Sequence, residues 1–165
     1  SFSITHANPW AYDQLLRAGY RYDSSVYPTW HPRYANQKRS LEPERIVRAE
    51  GQLNELPLAV ACLPLLGSHR VRIPVAGGAY WRLFPRPFIS WGLERIKESE
   101  GRSFTCYLHP WELDNDQPRF SGMGFLTRVR HYGGAAAFDK RVEWFCRKFK
   151  FAPIAEVWRD FLMGH

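Results

Sequence analysis

The chain lacks several features that would place it in a specialised class of protein. Its 165 residues contain three cysteines, Cys62, Cys106 and Cys146, which are widely spaced. An odd number of separated cysteines argues against a disulfide framework and against a cysteine-rich zinc site. No apolar run approaches the roughly 20 residues that a transmembrane helix needs, so we expect no membrane span. The composition instead indicates a globular domain that is large enough to bury a core.

Acidic residues are also in short supply, since Lys and Arg total 23 against 16 Asp and Glu, which gives a net charge of +7. Arginine outnumbers lysine, and guanidinium groups suit contacts with carboxylates and phosphates. A basic surface of this kind could attract an acidic polysaccharide, a membrane surface or nucleic acid. The simpler interpretation is that the basic residues are spread over solvated faces, because no run of five like charges occurs. No recognised nucleic-acid motif is present, so we expect no nucleic-acid partner.

Helical and extended patterns alternate along the chain, which predicts the α/β class. A first helix is indicated between Pro9 and Gly19, and a long polar loop follows over residues 28–43. Strands are predicted over 20–26, in two pieces within 52–66, over 70–75 and over 103–108; further helices are predicted over 88–99, 135–150 and 153–163. The helix over 135–150 places four apolar side chains on one side: Phe138, Val142, Phe145 and Phe149.

The most informative segment is the end of the strand predicted over residues 103–108. His109 follows this apolar run, and Pro110 ends the strand because proline cannot donate a ladder hydrogen bond. An imidazole at the carboxyl end of a core strand stands where α/β sheets and barrels place catalytic groups. The alternative is a strand-end histidine that bonds a neighbouring carbonyl, and the spacing alone favours this simpler alternative.

Six segments occur in an order that resembles one family. They are Phe2-Ser3-Ile4, Trp10-Ala11-Tyr12-Asp13, Gly19-Tyr20-Arg21-Tyr22-Asp23-Ser24-Ser25, Leu108-His109-Pro110-Trp111-Glu112, Arg130-His131-Tyr132 and Phe151-Ala152-Pro153. The ordered set resembles the carboxyl-terminal half of NodB-type polysaccharide deacetylases, in the bacterial branch associated with exosortase and exopolysaccharide loci. The resemblance implies part of a distorted (β/α) barrel whose first half is missing. It also implies hydrolysis of the acetamide of an N-acetylated polysaccharide.

The resemblance further implies a divalent metal such as zinc, which an Asp-Asp motif and a His-x-x-x-His motif would hold. This chain has neither motif, since its six histidines lack that spacing and no two aspartates are adjacent. The base and the metal ligands would therefore belong to the missing amino-terminal half of the same domain. We expect this chain alone to bind no metal, to be inactive, and to depend on that partner.

Roles follow for individual residues, and the same resemblance gives that of His109. His109 would be the general acid that protonates the departing amine, a task that suits an imidazole. Asp23, near the end of the strand predicted over 20–26, would hold the second ring nitrogen. Alternatively, Asp23 bonds the backbone amides that follow it, as a turn former does. We expect Glu112 to pair with Arg130 or with the backbone, without a catalytic role.

Aromatic and loop residues are the candidates for substrate binding. Trp111 and Tyr80 could line a sugar groove because aromatic faces stack on sugars, although aromatic side chains more often pack in a core. His31, Arg33 and Tyr34 lie in the long loop, where they would contact the substrate or remain solvated. The alternative function is a non-catalytic module that binds a glycan or another polyanion through the same groove.

Overall fold

The computed structural model describes residues 4, 8–29, 39–64 and 70–164. Within them the elements occur in the order α1 (Ala11–Arg17), β1 (Tyr22–Asp23), β2 (Glu44–Arg48), β3 (Gly51–Glu55), β4 (Val60–Pro64), β5 (Arg70–Pro74), α2 (Ala79–Leu83), α3 (Arg86–Glu94), α4 (Phe125–Tyr132), α5 (Phe138–Lys148), α6 (Ile154–Val157) and α7 (Arg159–Met163). A π-helical turn, Arg95–Ser99, extends α3, and 3-10 turns form at Pro110–Leu113 and Ala135–Ala137. The predicted mixed α/β class is confirmed.

The strands form two small sheets. In the first, β3 lies in the middle, parallel to β1 and antiparallel to β2; in the second, β4 and β5 form an antiparallel pair. The register of the first sheet sets Asp23 and Glu44 on either side of Glu55. Directly opposed residues point to the same face of a sheet, so three acidic side chains share one face.

The strand predicted over residues 103–108 is present only as two isolated parallel bridges. Thr105 pairs with Leu58, and Tyr107 pairs with Gly77, so the segment has a different partner at each end instead of one continuous ladder. The second crossing is very close, because a Cβ added to Gly77 would lie 2.1 Å from the carbonyl oxygen of Tyr107. Because glycine has no Cβ and can adopt φ of +133°, Gly77 allows this close approach to Tyr107, two residues before position 109.

The main core is built from the β4–β5 sheet, α2, α3 and α5. Phe138 and Phe145 of α5 are fully buried, and Phe149 follows on the same side, as the sequence predicts. The ring centroids of Trp81 and Phe145 lie 4.3 Å apart, and the indole N–H of Trp81 donates to the carbonyl of Val75 at 2.9 Å. Burial of such side chains stabilises the fold by about 1.5–3 kcal/mol each.

Most predicted elements have the right type and differ at their ends. The strand pieces predicted within 52–66 are β3 and β4, and the arm over 70–75 is β5. The last predicted helix, over 153–163, is divided at Trp158 into α6 and α7. The helix α4 lies in a stretch for which the sequence pattern predicts no element. In the described part of the chain, every helix is too short or too polar to cross a membrane.

Candidate functional site

His109 lies at the start of the 3-10 turn Pro110–Leu113, two residues beyond the Tyr107 bridge. Its side chain is 50% exposed, and its Nδ1 lies 3.2 Å from Oε2 of Glu112. The backbone N–H of His109 donates to the same oxygen at 3.0 Å. A carboxylate at Nδ1 fixes the orientation of the ring and leaves Nε2 as the nitrogen that can meet a substrate.

Glu112 is itself buried and carries a second charge partner. It is 1% exposed, and its Oε1 accepts a hydrogen bond of 2.9 Å from Nε of Arg82, which is also buried. The expected backbone contact of Glu112 is confirmed, but the expected pairing with Arg130 is wrong. Arg82 occupies that place because α2 brings it beside the 3-10 turn, and the carbonyl of Arg130 is instead an acceptor for Arg82.

The guanidinium of Arg82 connects three segments near His109, namely α2, the 3-10 turn and the carboxyl-terminal end of α4. Its Nη1 donates to the carbonyls of His131 at 2.7 Å and Gly133 at 3.1 Å, and its Nη2 donates to Arg130 at 3.1 Å. These carbonyls belong to the carboxyl-terminal end of α4, where helix geometry leaves acceptors without intrahelical partners and favours a cation. The sequence pattern alone gives Arg82 no role; the signal that could have identified it is an arginine within an aromatic run, where its charge must be buried.

Trp111 packs inside this group, with part of its ring open to solvent. The Trp111 and His131 rings are stacked, with centroids 4.9 Å apart and planes 12° apart. The guanidinium of Arg82 lies 5.4 Å from the Trp111 centroid, and the His109 ring lies 5.8 Å away. Trp111 is 39% exposed. Its exposed part is available for contact with a sugar.

A cavity of about 370 Å³ has Tyr107, a neighbour of His109, in its wall, although His109 itself does not line it. Tyr80 lines it together with Tyr27, Ala79, Leu83, Phe84, Tyr107, Leu126, Val129 and Arg130. Tyr107 also contacts the His109 ring edge to face, with centroids 5.3 Å apart. Burial raises the pKa of Tyr107 to about 12 and raises that of Tyr80, so both phenols are neutral at pH 7. An apolar wall with a few hydroxyls and one cation is typical of a small-ligand site.

Asp23 lies elsewhere, and the structure does not join it to His109 by a hydrogen bond. Its cross-strand neighbour is Glu55, and both side chains are more than nine-tenths buried. The amides of Ser25 and Val26 donate to Oε1 of Glu55 at 3.1 and 2.9 Å. In the described residues, Oδ2 of Asp23 and Oε2 of Glu55 have no hydrogen-bond partner.

The surroundings of this acid pair disfavour two negative charges. Burial, and then the charge of Asp23, raise the pKa of Glu55 to about 7. The positive charge of Arg39 lowers the pKa of Glu55 only in part, and its Nη2 lies 2.9 Å from Oε2 of Glu44, so Arg39 already has a carboxylate partner. Burial and the charge of Glu55 also raise the pKa of the neighbouring Tyr12.

The remaining candidate residues, His31, Arg33 and Tyr34, are outside the described residues. Within residues 8–29, 39–64 and 70–164, no group of three or more His, Cys, Asp or Glu side chains could hold a metal ion. The described residues therefore do not fit a divalent metal, and no chemical step is assigned to one.

Comparisons with known proteins give one finding. Residues 24–159 match a family described as "Domain of unknown function (DUF3473)". No curated protein and no solved structure matches the chain. The matched range covers most of the chain and includes Arg82, His109 and Glu112. The chain therefore belongs to the DUF3473 family.

Proposed function

We propose that this chain is part of a carbohydrate N-deacetylase that hydrolyses the acetamide of an N-acetylated polysaccharide. The observation that carries the proposal is the half-exposed His109 ring, held at Nδ1 by the buried Glu112. The resemblance to NodB-type deacetylases supports it, since the DUF3473 family is often associated with polysaccharide deacetylase-like proteins. The proposed architecture is the corresponding part of a distorted (β/α) barrel.

In this proposal His109 supplies a proton. An amine is a poor leaving group unless it is protonated as the C–N bond breaks, and a positioned imidazole serves this purpose. Glu112 holds Nδ1, so Nε2 would carry the transferred proton. Arg82 keeps Glu112 in place. Because hydrogen bonds hold Glu112 on both sides, it would keep the His109 ring in one orientation during the reaction.

The substrate would lie between the exposed edge of Trp111 and the cavity lined by Tyr80. Neutral phenols donate and accept hydrogen bonds with sugar hydroxyl and amide groups, while the ring faces contact apolar sugar faces. Activation of water and stabilisation of the oxyanion would be tasks of the amino-terminal half of the same domain, which, by the resemblance, would also hold a divalent metal. That half is therefore a required partner of this chain.

The test is release of acetate from an N-acetylated oligosaccharide by the complete protein that contains this chain. We expect His109→Ala to lower kcat by about 10²-fold or more, because general acid catalysis contributes on that scale. KM should change little, since His109 acts on the leaving group. Glu156→Gln, an exposed change in α6, is the control and should leave both constants unchanged.

Two outcomes would contradict the proposal. Unchanged acetate release by His109→Ala would remove His109 from the mechanism. Saturable binding of the oligosaccharide without any acetate release by the wild-type complete protein would instead support a non-catalytic glycan-binding module.

A further inference from the structure

The helix α4 presents an apolar face to solvent. Phe125 is 78% exposed, Leu126 is 80% exposed and Val129 is 42% exposed, and no residue of α4 is buried. At about 100° per residue, these three side chains fall within an arc of about 100° around the helix axis. Among the described residues, one edge of this arc borders the cavity that Leu126 and Val129 share with Tyr80 and Leu83 of α2, while Phe125 and Leu126 remain largely open to solvent. The arc therefore differs from the apolar side of a helix that faces a core.

Positive charge borders the apolar arc on both sides. By the same helical geometry, Arg128 lies about 60° before Phe125, and Arg130 lies about 40° beyond Leu126. Arg119 precedes the helix, and residues 117–137 contain no aspartate or glutamate. The carboxylate ion pairs among the described residues all involve other basic side chains. The arginines around α4 are thus available to an anionic partner.

The helix is fastened at its carboxyl-terminal end. Arg82 binds the carbonyls there, as described above, and the Tyr132 hydroxyl donates to the carbonyl of Pro118 at 2.8 Å. The same hydroxyl accepts from the backbone N–H of Phe120 at 3.3 Å, and the Arg119 guanidinium lies 5.8 Å from the Tyr132 ring. These contacts hold Phe120, itself 60% exposed, beside the helix, while the first turn of α4 projects into solvent.

We propose that this surface docks at the interface of a bilayer that contains anionic phospholipids. The α4 surface consists of Phe120, Phe125, Leu126 and Val129 with Arg119, Arg128 and Arg130. A short amphipathic helix with large apolar side chains between arginines is the pattern of segments that lie in a membrane interface. Guanidinium groups bind phosphate well, and the net charge of +7 adds long-range attraction to an anionic surface.

An acidic protein is the alternative occupant of this surface, since arginines donate to carboxylates as well as to phosphates. Binding to anionic vesicles distinguishes the two occupants. Leu126, Val129 and Arg130 also line the cavity whose wall includes Tyr107, so docking would place that cavity at the membrane surface. The inference does not depend on the proposed deacetylation.

The test is flotation of the complete protein with vesicles of phosphatidylcholine, with and without phosphatidylglycerol. We expect binding to the anionic vesicles only, and weaker binding as salt is added. The double variant Phe125→Ser/Leu126→Ser should lower the partition coefficient by about tenfold or more, because two large apolar side chains no longer enter the interface. Arg128→Gln/Arg130→Gln should also weaken binding and reduce its dependence on salt.

The matched control is Val47→Ser/Met163→Ser, which removes two apolar side chains that are 73% and 70% exposed elsewhere. This variant should bind as the wild type does. Equal binding by the α4 double variant, equal binding to neutral vesicles, or no binding by the complete protein would overturn the proposal. It would also be overturned by a dimer in sedimentation velocity that Phe125→Ser/Leu126→Ser dissociates, since the face would then join two copies of the chain.

Discussion

Two buried glutamates, Glu112 and Glu55, show opposite ways of placing a carboxyl group inside this protein. Both oxygens of Glu112 have partners, Arg82 on one side and His109 on the other. Only one oxygen of Glu55 is bonded, and in the described residues the other has no hydrogen-bond partner, beside the acidic Asp23. A buried charge is tolerated when it is paired and hydrogen-bonded, and otherwise the group tends to bind a proton.

Glu112 therefore positions a neighbouring side chain, whereas Glu55 is a carboxyl group whose raised pKa makes its charge depend on pH. The carboxylate of Glu112 is fixed between a cation and a ring, which suits a residue that must hold His109 in one orientation. Glu55 binds two backbone amides through one oxygen and exchanges a proton near neutral pH, which makes local stability depend on pH. Removing the cation that pairs with Glu112 should therefore lower the free energy of unfolding, whereas removing the charge of Glu55 should raise it.

Arg82→Met gives the largest expected effect. It leaves Glu112 buried without its cation and removes the donor that binds three carbonyls at the end of α4. Loss of one partner of a buried ion pair typically costs about 3–5 kcal/mol in the free energy of unfolding. Urea unfolding at pH 7 measures this cost. Arg17→Met, which breaks the exposed ion pair with Glu50, should cost much less, because solvent screens an exposed pair.

If Arg82→Met lowers the free energy of unfolding no more than Arg17→Met does, the contrast between Glu112 and Glu55 fails. It would mean that the buried pair contributes no more than a surface pair does, and that the 3-10 turn is held by other contacts.

Glu55→Gln gives the next largest effect, in the opposite direction. The amide oxygen can still accept from Ser25 and Val26, and the new NH₂ can donate to Asp23. The pKa of Glu55 is raised from 4.5 in the unfolded chain to about 7 in the folded protein. Between these values the folded state binds more protons, so the free energy of unfolding falls as pH rises. The variant lacks this fall and should be more stable above pH 7, by an upper limit of about 3 kcal/mol.

Urea unfolding at about pH 5 and pH 8 tests this sign, because stability linked to a raised carboxyl pKa changes across that interval. The gain from Glu55→Gln should be larger at the higher pH. A variant that is less stable than the wild type at the higher pH would contradict the interpretation, because it would show that the negative charge of Glu55 is stabilised by a partner.

The sequence predicts much of the fold and only part of the candidate site. Periodicity of apolar residues correctly predicts α5 and its buried face, and turn residues correctly separate the short strands, because both signals are local. The pairing of Arg82 with Glu112, across 30 positions, is set by tertiary packing. In the sequence, no periodic pattern distinguishes Arg82 and Glu112 from charged residues on a solvated surface. Likewise, only the register between β1 and β3 places Asp23 beside Glu55 instead of beside His109.

The most direct test of the central claim is the tautomer of the neutral His109 ring, measured at alkaline pH by long-range ¹H–¹⁵N correlation spectra. If Glu112 holds His109 at Nδ1, the proton lies on Nδ1 and Nε2 is free to accept. The Glu112→Gln variant should lose this preference, since the amide can face the ring with either its oxygen or its NH₂. A proton on Nε2 in the wild-type protein would contradict the account, because Glu112 would then not be the group that orients the ring.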